Sequence, residues 1–273
     1  MIKLNKHRIE LGNFPDGTLL FKVDEEVSKS TEALVEWYFE NDREFVALMF
    51  LAKYLRDKGV SKVHLYMPYI PNARQDRVKK AEDVFTLKYF AEVINSLNFT
   101  SVTVLDPHSS VSEALINNIR VESPKMYIDD VIKKIEDREG ELPIVCYPDE
   151  GASKRYSGMI KLPYAFGIKI RNWEDGKILG LDVVGATNEI AGQNVLIVDD
   201  ICSKGATFFY SAKKFKELGA RNVYLYVSHC ENTILEGELI RSNLLEKIFT
   251  TNSIFTATHP IIEVYECGGM KNV

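Results

Sequence analysis

The chain has 273 residues, 45% of them hydrophobic, and a formal net charge of −5 at pH 7. That length exceeds the usual single core, so two domains are expected, with ample apolar material for each. The acidic balance gives no global basic field for nucleic acid, and no apolar run approaches the ~20 residues a membrane span needs.

Phe14-Pro15-Asp16-Gly17 reads as a turn feeding the apolar run from Thr18 to Phe21. Phe45, Leu48, Met49, Ala52 and Leu55 recur at helical spacing, with Gly59 as a natural stop, and a strand follows from Val63 to Pro68. Leu87, Phe90, Ala91, Ile94 and Leu97 mark a second amphipathic helix, ahead of a strand from Val102 to Leu105. The pattern restarts after Pro124 with a helix around Ile128 to Ile135 and a strand from Pro143 to Cys146. Strands are also expected over 165–170 and 177–184, flanking a polar turn at 172–176. After the strand from Val195 comes a helix with Phe208, Ala212 and Phe215 inward, stopped by Gly219, then a strand from Val223 to Val227.

Helix–strand alternation of this kind is the signature of a mainly parallel sheet, so an α/β fold is expected. Residues 54–68 and 214–228 also align without gaps, Gly59 meeting Gly219, Val63 meeting Val223 and Leu65 meeting Leu225. This suggests two similar α/β domains, one over 1–130, which the tail 259–273 joins as a returning strand, and one over 131–258. Cys146, Cys202, Cys230 and Cys267 form no C-x-x-C pair and read as reduced thiols. With no signal peptide visible at Met1-Ile2-Lys3, a soluble cytoplasmic protein without membrane or nucleic-acid partners is expected.

The chemistry gathers at predicted strand ends, where parallel sheets bind ligands. Val195-Leu196-Ile197-Val198 reads as a strand buried on both faces that stops at Asp199-Asp200. Two adjacent carboxylates there are costly unless hydroxyls or a cation satisfy them. The small residues Ser203-Lys204-Gly205-Ala206-Thr207 then open a helix whose free amides suit an anion. A sugar phosphate, hydroxyls at one end and phosphate at the other, fits. A solvated turn, with Asp200 or Ser203 capping the helix, fits the stretch equally well. The G-x-x-x-x-G-K-[ST] order is absent, which disfavours a Walker-type NTPase.

Other strand ends carry Ala73-Arg74-Gln75-Asp76-Arg77, whose guanidinium forks suit phosphates; Asp106-Pro107-His108 and Pro148-Asp149-Glu150-Gly151, which suit a Mg²⁺–nucleotide site; and Lys169-Ile170-Arg171. Strand alternation places Lys169 and Arg171 on one face, where two cations can meet developing negative charge. Each alone is matched by a plainer reading as a solvated loop, a capped helix or a charged strand end.

In their order along the chain, these motifs resemble ribose-phosphate pyrophosphokinases. Phe14-Pro15-Asp16-Gly17 resembles that family's F-x-D-G-E element, Ala73-Arg74-Gln75-Asp76-Arg77 its A-R-Q-D-[RK] segment, Asp106-Pro107-His108 its D-x-H, Pro148-Asp149-Glu150-Gly151 its P-D-x-G turn, and Lys169-Ile170-Arg171 the K-x-R that opens its catalytic loop. The resemblance implies two phosphoribosyltransferase-like domains and pyrophosphoryl transfer from Mg-ATP to ribose 5-phosphate. Lys169 and Arg171 would be catalytic. Phe14, Asp16, Arg74, Gln75, Asp76, Arg77 and His108 would bind ATP. Asp199, Asp200, Ser203, Lys204, Gly205, Ala206 and Thr207 would bind ribose 5-phosphate, and His108 and Asp149 would serve Mg²⁺. A homo-oligomer built on dimers, up to a hexamer, is also implied, with Asp16 reaching a neighbour's ATP site.

The chain departs from the family pattern at Thr18, where that pattern has Glu, and at Ser203, Lys204 and Ala206, where its loop commonly has Asp, Thr and Gly. Losing an acid and gaining Lys204 is expected to make the loop more cationic. Val78-Lys79-Lys80 and a short catalytic-loop segment depart as well. Two alternatives stay open at this point: a phosphoribosyltransferase that consumes the activated sugar, and a non-catalytic regulatory homologue.

Overall fold

The computed structural model, which describes residues 1–23, 31–171 and 178–268, builds the helix–strand alternation into separate sheets. The chain divides into two compact units, Met1–Ser123 and Pro124–Val273.

The first unit runs β1 (Ile2–Leu4), β2 (His7–Ile9), β3 (Leu11–Asn13), β4 (Leu19–Phe21), β5 (Glu32–Trp37), α1 (Arg43–Asp57), β6 (Lys62–Tyr66), α2 (Thr86–Ser96), β7 (Ser101–Leu105), α3 (Ser110–Leu115) and β8 (Ile119–Glu122). Its six-stranded sheet has the order β2-β1-β5-β6-β7-β8, with β5 to β8 parallel and β1 and β2 antiparallel at one edge. Leu48, Leu51 and Leu55 lie at helical spacing on α1 and bury against Val35, Leu65 and Val104 of the sheet. β3 and β4 form a separate hairpin.

The second unit runs α4 (Lys125–Glu139), β9 (Ile144–Tyr147), α5 (Glu150–Tyr156), β10 (Tyr164–Arg171), β11 (Ile178–Gly185), β12 (Val195–Cys202), α6 (Ala206–Glu217), β13 (Val223–Cys230), α7 (Glu238–Arg241), β14 (Lys247–Thr251) and β15 (Ile262–Tyr265). Its seven-stranded sheet has the order β11-β10-β9-β12-β13-β14-β15 and is parallel except for β11. Both units are mainly parallel α/β layers flanked by helices.

The helix–glycine–strand match between the two halves reaches the hydrogen bonds. Val60 N donates to Leu55 O and Ala220 N to Phe215 O, both at 3.0 Å, while Gly59 and Gly219 take left-handed φ of 82° and 87°. These are the same helix stop, which glycine accepts without a Cβ clash.

The tail does not return to the first sheet. β15 pairs in parallel with β14, Ile248 opposite Ile262, because Ile262 fills the second core and Tyr265 anchors to α4. Its hydroxyl donates to Asp130 (2.7 Å) and its ring lies 5.6 Å from Tyr127. These contacts also tie α4 whole to the second unit, so a boundary at 130 would cut a helix. The polar turn expected over 172–176 lies outside the described residues.

Candidate active site

In the second unit, the strand following β9 in the chain, β10, lies on one side of it, and β12 lies on the other. Crossovers therefore diverge between β9 and β12, which opens a crevice at their carboxyl ends. Ile197 is level with Cys146 across this pair, so Asp149 and the Asp199–Asp200 pair emerge at similar heights. β12 does not stop at the two carboxylates. It leaves β9 after Ile197 and continues along β13, with Ile201 opposite His229 and Cys202 opposite Cys230. The aspartates thus sit on an extended, rigid strand with one flank open, because β13 still supplies the ladder bonds on the other.

Asp199 is half-buried and Asp200 buried. Burial pushes the Asp199 carboxyl well above the usual carboxylate range, and the neighbouring Asp200 and Asp149 charges add to the rise. Asp200 pairs with Arg155, Nη1 to Oδ2 3.2 Å, as an ion pair rather than an aligned hydrogen bond. Arg155 comes from α5, whose start is fixed by Asp149: the Asp149 side chain accepts from Ala152 N at 3.0 Å. One oxygen of Asp149 is therefore a helix cap. The motif reading does not reach Arg155; its place six residues after Asp149, about 1.7 turns on, is the available signal.

Beyond β12, the loop turns at Gly205 (φ 82°) into α6. The first intrahelical bond runs from Phe209 N to Gly205 O (2.9 Å), so the Ala206, Thr207 and Phe208 amides precede the helical ladder. Amides so placed at the positive end of a twelve-residue helix have the chemistry to receive an anion. The expectation of a more cationic loop is not met. Lys204 Nζ lies 3.5 Å from Glu236, and Ser203 Oγ donates to Glu231 at 2.7 Å. The loop's lysine and serine thus each face a carboxylate.

In the first unit, the segment after β6 and the loop after β7 meet around Asp76. The buried Asp76 carboxylate accepts both guanidinium bonds of Arg77, at 2.7 and 2.8 Å. That pairing holds its carboxyl far below the usual range, and Ser109 and His108 lower it further. Ser109 also caps α3 through Val111 N (3.2 Å). Asp106 lies buried in the left-handed region at φ 40°, an uncommon state for a non-glycine residue, and turns the chain sharply from β7 into His108. Gln75 Oε1 accepts from Thr86 (2.9 Å). Arg74 and Arg77 are exposed on the surface of this cluster.

The model of the N-terminal domain of ribose phosphate pyrophosphokinase matches residues 1–97. The ribose-phosphate pyrophosphokinase of Thermococcus kodakarensis is 28% identical over 265 residues, covering 94% of this chain and 90% of that protein. That of Saccharolobus solfataricus is 25% identical, covering 94% and 88%. Over most of its length the chain is similar to ribose-phosphate pyrophosphokinases. The crystal structure of phosphoribosylpyrophosphate synthetase from Mycobacterium smegmatis shares the fold, with a TM-score of 0.77, 17% identity, and coverage of 95% of this chain and 86% of that one.

Against the ribose-phosphate pyrophosphokinase pattern, Thr18 acquires a local role. Its hydroxyl and amide both donate to Asp16 Oδ1, at 2.7 and 3.0 Å, and lower the Asp16 carboxyl. This closes the turn between β3 and β4 and leaves Phe14 half exposed at its tip. Lys169 and Arg171 lie near the end of β10, backbone-paired with Leu181 and Ile178 of β11. Their β-ladder is irregular between Ile170 and Arg171.

Among the described residues, no group of three or more His, Cys, Asp or Glu side chains is arranged to enclose a metal. Mg²⁺ does not need such a cage, since it binds through one or two carboxylates plus substrate oxygens and water. The Asp149–Asp199–Asp200 group, its charges mutually unfavourable, has the donor chemistry for that mode. His108 belongs to the first unit and Asp149 to the second. Among the described residues no helix is long and apolar enough to cross a membrane.

Proposed function

We propose that this protein is a ribose-phosphate diphosphokinase, transferring the β,γ-pyrophosphoryl group of Mg-ATP to the C1 hydroxyl of ribose 5-phosphate and releasing AMP. The observation that carries this reading is the Asp199–Asp200 pair on β12, followed immediately by the amide-lined start of α6. Hydroxyls of a ribose meet the carboxylates while its 5-phosphate meets the Ala206, Thr207 and Phe208 amides.

Arg155 orients Asp200 as an acceptor, and Asp199, whose own proton is held more tightly, hydrogen-bonds the second hydroxyl. Arg74, Gln75 and Arg77 bind the ATP phosphates and base, with Asp76 fixing the Arg77 fork. Phe14 and Asp16 belong to the ATP site of a neighbouring copy in a homo-oligomer. Lys169 and Arg171 neutralise charge on the transferring group. Asp149 and His108 would serve Mg²⁺, directly or through water, and the ion would neutralise charge on the triphosphate.

The test is AMP release from Mg-ATP by the purified chain. Robust release that depends on ribose 5-phosphate supports the kinase. No AMP, but pyrophosphate release from phosphoribosyl pyrophosphate and a base, replaces it with a transferase. Silence in both assays, with nucleotide binding retained, replaces it with a regulatory homologue.

A further inference from the structure

The phosphate-facing loop is held from behind by the segment that follows β13. Ser203 Oγ donates to Glu231 Oε2 at 2.7 Å, and Thr233 Oγ1 donates to the same oxygen at 3.0 Å. Glu231 N closes the connection by donating to Cys202 O at 2.8 Å. Packing follows the same line. A Cβ on Gly237 would stand 2.0 Å from Lys204 O, and one on Gly205 would stand 2.7 Å from Leu239 Cδ2. Two glycines therefore permit backbone and side chains of 231–239 to lie directly on the loop.

Ser203 has a single side-chain O–H, and it is directed at Glu231, so that hydroxyl is not the phosphate donor. It occupies the position where the family's loop commonly carries Asp. A carboxylate instead reaches the loop from the turn after the neighbouring strand, through one charge-assisted hydrogen bond.

We propose that Glu231 is a positioning residue for the 203–207 loop, anchoring it through the hydrogen bond from Ser203. Glu231 fixes Ser203, the fixed Ser203 sets the left-handed turn at Gly205, and that turn aims the first amides of α6. The functional half of this inference rests on the ribose 5-phosphate reading of the loop; the structural half does not.

The experiment compares Glu231→Ala, Ser203→Asp and the exchanged pair Ser203→Asp with Glu231→Ser, all in the full chain. Amide hydrogen exchange over 203–208 without ligand reads the anchor. Calorimetric titration with ribose 5-phosphate, and separately with ATP, reads its consequence. A hydrogen bond to a charged group corresponds to roughly a tenfold or larger change in equilibrium, so Glu231→Ala should speed loop exchange and weaken sugar-phosphate binding by about that factor. ATP affinity should stay within about twofold, as for a site not coupled to the change. Ser203→Asp alone sets two carboxylates against each other and should weaken binding at least as much. The exchanged pair should recover binding to within about threefold of the parent, the mark of a direct coupling. Unchanged loop exchange in Glu231→Ala, or an exchanged pair no better than either single variant, overturns the proposal. If the parent chain binds no ribose 5-phosphate, the functional reading falls, and the loop-exchange rates still decide the anchor.

Discussion

Arg155 Nη1 lies 3.2 Å from Asp200 Oδ2, which couples α5, the helix after β9, to the carboxylate pair on β12. Asp200 is buried, and Arg155 is about a quarter exposed, its guanidinium also lying 5.8 Å from the Tyr156 ring. Removing one partner of such a pair leaves an uncompensated charge beside Asp199. Arg155→Met is expected to cost about 2–3 kcal/mol, below the value for a fully buried pair because water reaches the arginine. Thermal unfolding checks the loss, and titration with ribose 5-phosphate should show weaker binding as well. A variant of parental stability and affinity would remove Arg155 from the site.

Asp199 should show the opposite sign. Its carboxyl is raised above the ordinary value of about 3.9, so between that pH and its folded pKa the folded chain holds a proton that the unfolded chain has lost. Stability therefore falls as pH rises through this window. Asp199→Asn removes that penalty and keeps an oxygen for the Asp200 amide, which Asp199 Oδ1 accepts at 2.9 Å. The variant should melt about 2–4 °C higher at pH 8, a gain that fades toward pH 4, while losing sugar-phosphate affinity. An advantage independent of pH would contradict the burial of this charge.

Asp76 titrates the other way. Its depressed carboxyl stabilises the fold above the unfolded value, and the contribution is lost as pH falls through the folded one. Because Arg77 is 61% exposed, solvent screens the pair. Asp76→Asn is expected to cost only about 1 kcal/mol at pH 7, with the difference from the parent shrinking under acid. ATP affinity should drop more than stability does, since Arg77 loses the fork that orients it. Comparison of melting curves with ATP titrations separates the two effects.

Lys169→Ala and Arg171→Ala should each lower kcat by about 10²–10³, with smaller changes in the KM for ribose 5-phosphate, as for donors that act on developing charge. Steady-state kinetics decides. Near-parental turnover in both variants would sink their catalytic assignment.

Much of the architecture was legible in local pattern. α1 and α2 announce themselves by apolar spacing, and the Gly59 and Gly219 stops were visible because only glycine takes that turn cheaply. β5 went unread although Ala33, Val35 and Trp37 alternate inward with exposed neighbours. Leu34, apolar yet exposed between Glu32 and Glu36, masks the period of two. β15 was read as a strand, but its partner was not, since a four-residue run carries no record of which sheet edge it will meet.

The candidate site divides along the same line. Which residues bear chemistry is written in the chain: carboxylates at 199 and 200, small residues at 203–207, guanidinium forks at 74 and 77. These follow from side-chain type and strand-end position, both local properties. Partnership is not local. Arg155 reaches Asp200 across 45 residues because β9 and β12 are neighbours in the sheet, and Glu231 reaches Ser203 because β12 and β13 run in register past the last apolar residue. Only the folded sheet turns Lys204 from an added positive charge into half of an ion pair with Glu236, and Ser203 from a lost acid into a donor to Glu231. Electrostatic character depends on distances between chain segments, and those distances are set by topology rather than by the order of residues.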